Sequence, residues 1–294
     1  MDLKIPERLE HSVAPSSFAN HRLPATHLHP APLTVQDLGP VLIVSPHPDD
    51  ETLGCGGLIA QCATTNHPLR IVTLTNGDAS HPGNHRWRAR LAQIRWREQA
   101  AALKQLGLTE DCSEWFHQAD GSLASIGGFE YEQLVARLAA VITRHGIESV
   151  FVTAIDERHE DHQFAALIAV QATTLVAYCQ RLFSYPIWSA EIRAAELLRS
   201  EQPYVLNIQP WLARKRAAIN EHRSQMGSVE MPAGGFQIPE SLIEQKLQPS
   251  EPYNLITDPD TWIGGMATNL FKRGRVTAPS ARTPADTPAE EPSV

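Results

Sequence analysis

The sequence predicts an α/β fold: a Rossmann-like, doubly wound, mostly parallel sheet with helices on both faces and a loop-rich C-terminal cap. Three observations predict it. Short apolar runs rich in Val, Ile and Leu recur along the chain, as strands buried on both faces require. Helix-length segments separate them, which is how parallel strands are joined. The residues able to do chemistry cluster directly after two of those runs, where a parallel sheet binds its ligands.

Residues 1–37 carry Pro6, Pro15, Pro24, Pro30 and Pro32 and hold no period, so they read as an irregular lead-in in which His27 and His29 are loop histidines. Residues 40–45 form the first buried strand, followed by a helix over 51–65. Residues 69–74 are the second strand, and 86–106 a long helix closed by Gly107. A helix over 131–145 ends at Gly146, and 149–153 is the third clear strand. Residues 163–178 are helical and 181–185 return to strand. Residues 215–225 read as a helix and 227–250 as loops. One domain is expected over 38–275, with 276–294, rich in Pro, Ala, Thr and Glu, as a disordered tail.

Composition narrows the function classes. A chain of 294 residues, 42% apolar, can bury a large core without disulfides. Its net charge of −8 argues against a nucleic-acid partner, which would need Lys and Arg to neutralise phosphates. Cys55, Cys62, Cys112 and Cys179 make no CxxC pair and read as reduced thiols of a cytoplasmic protein. No secretory h-region and no run of 18 apolar residues is present, so neither a signal peptide nor a membrane span is expected.

Two constellations carry chemistry. The first, Pro46-His47-Pro48-Asp49-Asp50-Glu51, follows the first strand. Its prolines restrict the backbone, and a turn at Asp49 would let His47 and Asp50 converge on one ion. The second, Asp156-Glu157-Arg158-His159-Glu160-Asp161-His162, follows the strand ending at Thr153. His159 and His162 are three apart and share a face of a turn. Nitrogen and carboxylate donors suit zinc, which at catalytic sites takes three protein ligands and keeps one open position. His47, Asp50 and His162 would supply that set, leaving Asp49 and His159 as acid–base groups. Gly54, Gly56 and Gly57 fall short of a GxGxxG fingerprint and read as close-packing positions. No Gly-x-Ser-x-Gly elbow is present.

These residues resemble the PIG-L/LmbE-like family of zinc-dependent N-deacetylases. The likeness rests on Pro46 to Gly57 and on His159-Glu160-Asp161-His162. Supporting matches are Thr73 to Asp78, Arg95-x-x-Glu98, Asp120-Gly121-Ser122-Leu123 and His222 to Gln225, across roughly residues 38–255. Glu160 departs from the proline of many members. The resemblance implies one Zn2+, with another divalent ion such as Fe2+ tolerated, and a small N-acylated amino-sugar substrate. It places His47, Asp50 and His162 on the metal, Asp49 as general base and His159 on the oxyanion, with Asp161 supporting the second motif by orienting His159. Asp78, Arg86 and His222 become candidate substrate contacts. Two alternatives share the site: an amidase of a larger acyl or thiol conjugate, and a non-catalytic sugar- or nucleotide-sugar-binding protein. Oligomeric state is left open.

Overall fold

The computed structural model describes residues 29–179, 181–188, 200–227 and 234–264; the tail expected at 276–294 and most of the lead-in lie outside them. Among the described residues eight strands form one sheet: β1 (Ala31–Pro32), β2 (Val41–Ser45), β3 (Leu69–Thr75), β4 (Ser113–Gln118), β5 (Ser149–Thr153), β6 (Arg181–Tyr185), β7 (Glu201–Asn207) and β8 (Ser250–Ile256). Their order is β1-β7-β8-β6-β5-β2-β3-β4. Neighbours run parallel except β8, which is antiparallel to both β6 and β7. The chain winds outward from β2 through β3 to β4, then returns to β5 on the other side of β2. A crevice therefore opens between the carboxyl ends of β2 and β5, the switch point at which doubly wound sheets bind ligands.

The helices are α1 (Asp50–Thr65), α2 (His85–Leu106), α3 (Gly128–Arg144), α4 (Glu160–Thr174), α5 (Leu212–Glu221) and α6 (Glu240–Lys246). Alternation along the strands sorts them into two layers. Leu42, Val44, Val72, Leu74, Val150 and Val152 face α3 and α4. Val41, Ile43, Ile71, Phe151 and Phe183 face the opposite way, into a core shared with α1, α2 and α5. Those strand residues are all essentially fully buried, so each side is a closed hydrophobic layer. The glycines of α1 are where it meets its neighbours: a Cβ on Gly54 would lie 2.3 Å from the Tyr185 ring. The packing role expected for these glycines is thus met physically.

The expected strands at 149–153 and 181–185 form with those bounds, and the others differ by a residue. Helix α4 starts three residues before 163 and stops at Thr174, where the Thr173 and Thr174 hydroxyls bond back to Val170 and Gln171 carbonyls. Strands β4, β7 and β8 carried no apolar run. In β8, Glu251 and Pro252 interrupt the pattern, and Glu251 braces the fold instead. It accepts from the amides of Gly57 (2.7 Å) and Leu58 (2.9 Å) in α1 and pairs with buried Lys215 at 2.6 Å. The C-terminal region is accordingly more regular than a loop cap, since α6 and β8 lie within it.

Candidate active site

The loop after β2 is built under strain. Asp49 sits at φ 144° and ψ −26°, a conformation that costs a non-glycine residue of order 1–3 kcal/mol. Surrounding bonds hold it there. Ser45 Oγ donates to the His47 carbonyl at 2.6 Å, and Thr75 ties the Pro46 carbonyl to β3. Glu51, fully buried, accepts from the Asp49 amide at 3.2 Å. Arg95, reaching from α2, donates to Asp49 Oδ2 at 2.9 Å. Burial pushes the Asp49 carboxyl up to about 7, with Arg95 pulling the other way.

The turn at Asp49 brings three donors together. His47 Nδ1, Asp50 Oδ2 and His162 Nε2 stand at the corners of a triangle with every side 3.2 Å. Ligand atoms 2.0–2.2 Å from a tetrahedral ion lie about 3.3–3.6 Å apart, so the triangle fits one divalent cation. Two ring nitrogens converge on one carboxylate oxygen, as ligands of a shared cation do. Burial pulls both rings down, yet Asp120, Asp161 and Asp50 raise His47 well above 6.5, and Asp50 with Glu157 raises His162 to about 9. Protons thus concentrate where a cation would be held, and cation binding would release them.

Each imidazole is backed by carboxylate. His47 Nε2 lies 3.2 Å from both Asp161 Oδ2 and Asp120 Oδ1. A proton on Nε2 leaves Nδ1 with a lone pair for the triangle, the usual arrangement of a metal-ligating histidine. Asp161 accepts from the amides of Gly121 (2.8 Å) and Leu123 (3.0 Å), and Asp120 from that of Ala79 (3.0 Å). Behind His162, Glu157 Oε2 stands 3.6 Å from Nδ1, too far for a hydrogen bond, while the Glu157 carboxylate accepts from the Ile187 and Trp188 amides. Two other donor groups also occur, His47 with His159 and His162, and His47 with Asp120 and Asp161, each with atoms within 4.8 Å. The second uses His47 Nε2, the ring nitrogen facing the two carboxylates, rather than Nδ1.

His159 is the N-cap of α4: its Nδ1 accepts from the Asp161 amide at 3.1 Å. That bond leaves the proton on Nε2, a donor on an exposed ring 4.6 Å from the His47 ring. Here the structure corrects the expectation that Asp161 orients His159 by its carboxylate. The carboxylate is turned to His47, and only the backbone amide reaches His159.

The three weaker candidates scatter. Asp78 accepts from Arg88 Nε and from the Asp120 amide, both at 3.0 Å, so it shapes the loop that presents Asp120. Arg86 is exposed in the first turn of α2. His222 is buried behind the first loop, 3.1 Å from Thr52 Oγ1, and burial, with Arg95 nearby, pushes it down to about 3. Asp120, Glu157 and Arg95 were not singled out as site residues. Asp120 and Arg95 lie within the supporting sequence motifs and Glu157 within the second acidic cluster, but spacing gives no sign of what they touch.

Known proteins resemble the chain in the same region. A family model described as "PIG-L: GlcNAc-PI de-N-acetylase" matches residues 42–173. The 1D-myo-inositol 2-acetamido-2-deoxy-alpha-D-glucopyranoside deacetylase of Mycobacterium avium (strain 104) is 39% identical over 79 residues, 24% of this chain and 26% of that protein. The match therefore spans about a quarter of the length of the curated relatives. Among solved structures, the conserved protein TT1542 of Thermus thermophilus is similar with TM-score 0.54 and 26% identity, covering 72% of this chain and 92% of that one. The N,N'-diacetylchitobiose deacetylase of Pyrococcus horikoshii shares the fold at TM-score 0.55 and 18% identity, over 76% and 85% of the two chains.

Proposed function

On the premise that the chain carries a PIG-L family domain over residues 42–173, we propose that it is a metal-dependent N-deacetylase. Its substrate on this reading is an N-acetylglucosamine-type sugar or a related small conjugate, and its products are acetate and a free amine. The observation that carries the reading is the 3.2 Å triangle of His47, Asp50 and His162 beside a strained, buried Asp49. A pure binding site has no use for a base next to an open metal position.

A divalent ion, zinc by its donor set, would supply Lewis-acid activation of water and of the amide carbonyl. The chain's own groups do the rest. Asp49 takes the proton of the attacking water, and a carboxyl near 7 suits that role at neutral pH. His159 Nε2–H donates to the oxygen that gains charge, from a ring fixed by the α4 cap. The proton on Asp49 then passes to the leaving amine. Asp120 and Asp161 hold the His47 ring in place, and the Glu157 carboxylate stands behind the His162 ring as a nearby negative charge. We assign the chemistry to one domain over 38–275. The four cysteines are all free thiols, which supports a reducing cytoplasm as its location. Among the described residues no helix is long and apolar enough to cross a membrane.

Zinc-loaded protein and its Asp49→Asn variant are incubated with a panel of N-acetylated amino sugars, and acetate is measured. Turnover by wild type and a loss of about a hundredfold or more in the variant, with metal retained, is the expected result. Full activity in the variant would remove Asp49 from the base role. No acetate from protein with one zinc per chain would redirect the reading to a larger amide or to binding alone.

A further inference from the structure

The role of Asp49 rests on its geometry, and the geometry is held from outside its own loop. Asp49 has a backbone conformation that L-residues rarely adopt. Its side chain meets Arg95, only 3% exposed and placed halfway along the 22-residue helix α2. The Arg95 guanidinium makes three directed bonds: NH2 donates to the Pro48 carbonyl at 2.7 Å and to Asp49 Oδ2 at 2.9 Å, while NH1 donates to the Gly77 carbonyl at 2.8 Å. One side chain thus clamps the loop after β2 to the loop after β3.

The surroundings are cut to admit that clamp. Gly77 stands at φ +59°, and a Cβ there would lie 2.3 Å from Arg95 NH1 and 2.8 Å from Pro48 Cδ. The same face of α2 fixes two further elements. Gln99 donates to Thr73 Oγ1 of β3 at 2.9 Å, and Glu98 accepts from the Ser224 amide (2.7 Å) and hydroxyl (2.6 Å). Helix α2 is itself anchored at both ends, by the Asn84 cap and by Gly107 in the left-handed region. It therefore serves as a rigid bar against which the catalytic loops are registered. A planar fork suits this role better than a point charge, since three acceptors must be met in fixed directions.

We infer that Arg95 is the positioning residue of the proposed base: by clamping Pro48, Asp49 and Gly77 it fixes which oxygen of Asp49 faces the attacking water. Arg95 engages Oδ2, so Oδ1 takes the proton and later returns it to the leaving amine. Arg95 touches neither the metal ligands nor the reacting atoms. The inference rests on the deacetylase reading and on Asp49 as base.

The test is a double-mutant cycle of Arg95→Ala and Asp49→Asn in the full, zinc-loaded chain, with acetate release and zinc stoichiometry both measured. Arg95→Ala should lower kcat by about 30-fold or more, leave KM within about threefold, and keep one zinc per chain. In the Asp49→Asn background the same change should cost less than about twofold, because its only route of action is gone. Added guanidinium ion should restore part of the kcat of Arg95→Ala and none of that of Asp49→Asn. Arg95→Lys, which keeps the charge and the fold but not the fork, should fall between wild type and alanine. Losses that multiply fully in the double variant, or a raised KM at unchanged kcat, would overturn the inference while leaving the deacetylase reading intact. A fully active Asp49→Asn would remove Asp49 from the base role and this inference with it, while the acetate released would keep the deacetylase reading; no acetate from the zinc-loaded wild type would sink both.

Discussion

The loop after β2 and the loop after β5 contribute to the same site under opposite constraints. In the first, every residue from Pro46 to Glu51 is buried, Asp49 is at φ 144°, and Arg95, Thr75 and Glu51 hold the backbone from several directions. In the second, the N-cap His159 has an ordinary φ of −81° and an exposed ring, and the helix begins at once. The difference separates two roles. On the proposed reading, ligands and base must not move, so their loop carries strain that the fold offsets. A group that meets an arriving substrate needs access, so it sits on a helix cap with one ring nitrogen tethered and the other facing out. His162, one turn further along α4, returns to the buried side.

The largest effect expected from this contrast lies within the second loop itself. His162→Ala should strip the metal, while His159→Ala should keep one metal per chain and lose about 10- to 100-fold in kcat. Elemental analysis beside steady-state rates decides it. Metal loss in both variants would erase the distinction and favour the alternative donor group that includes His159. A smaller effect concerns the backing carboxylates. Asp120→Asn should weaken metal affinity by about 10- to 100-fold in competition with a chelator, since His47 Nε2 then loses one of its two anionic partners. Unchanged affinity would leave Asp161 as the sole support of that ring.

The smallest effect is on stability and sharpens the picture of the first loop. His222, packed against Thr52 behind it, has a folded value of about 3 against 6.5 for the free side chain. Between those limits the unfolded chain binds a proton that the folded protein refuses. The unfolded state thus gains on acidification, and stability falls as pH drops below 6.5, by up to about 1.4 kcal/mol per unit from this group. Denaturant unfolding of metal-free protein between about pH 7.5 and 5 should show a shallower loss in His222→Gln than in wild type. Comparing the two isolates His222 from His47 and His162, whose raised values act in the opposite sense. Identical slopes would mean that the folded ring takes up protons freely.

Much of this was legible in the chain, for physical reasons that also mark where reading stops. Strands β2, β3, β5 and β6 are buried on both faces and announce themselves as apolar runs. Strand β4, with Ser113, Glu114 and Gln118, lies at the sheet edge, and β8 is interrupted by Glu251 and Pro252, so neither shows such a run. In the site, His47, Asp50 and His162 could be nominated because the two motifs follow adjacent strands, and the triangle brings those three atoms together. What Asp161 touches could not be nominated. A residue adjacent to His162 in sequence turns its carboxylate to a histidine 114 positions away, and only the placed backbone shows it. The same holds for Arg95, whose partners lie 46 and 47 positions upstream and 18 upstream on a different loop.

Glu251 gives the molecule a timetable. It comes from the last strand of the sheet, yet its partner amides at Gly57 and Leu58 lie 194 and 193 positions earlier, in the helix whose first residue is the proposed ligand Asp50. During synthesis α1 emerges long before Glu251 and Lys215 can meet. Until they do, that helix lacks its mid-length anchor, and a lysine destined for burial has no counter-charge. The nascent chain can assemble β2 and β3 early, but the ground beneath the proposed metal ligands is finished only once Glu251, 194 positions after Gly57, has been made.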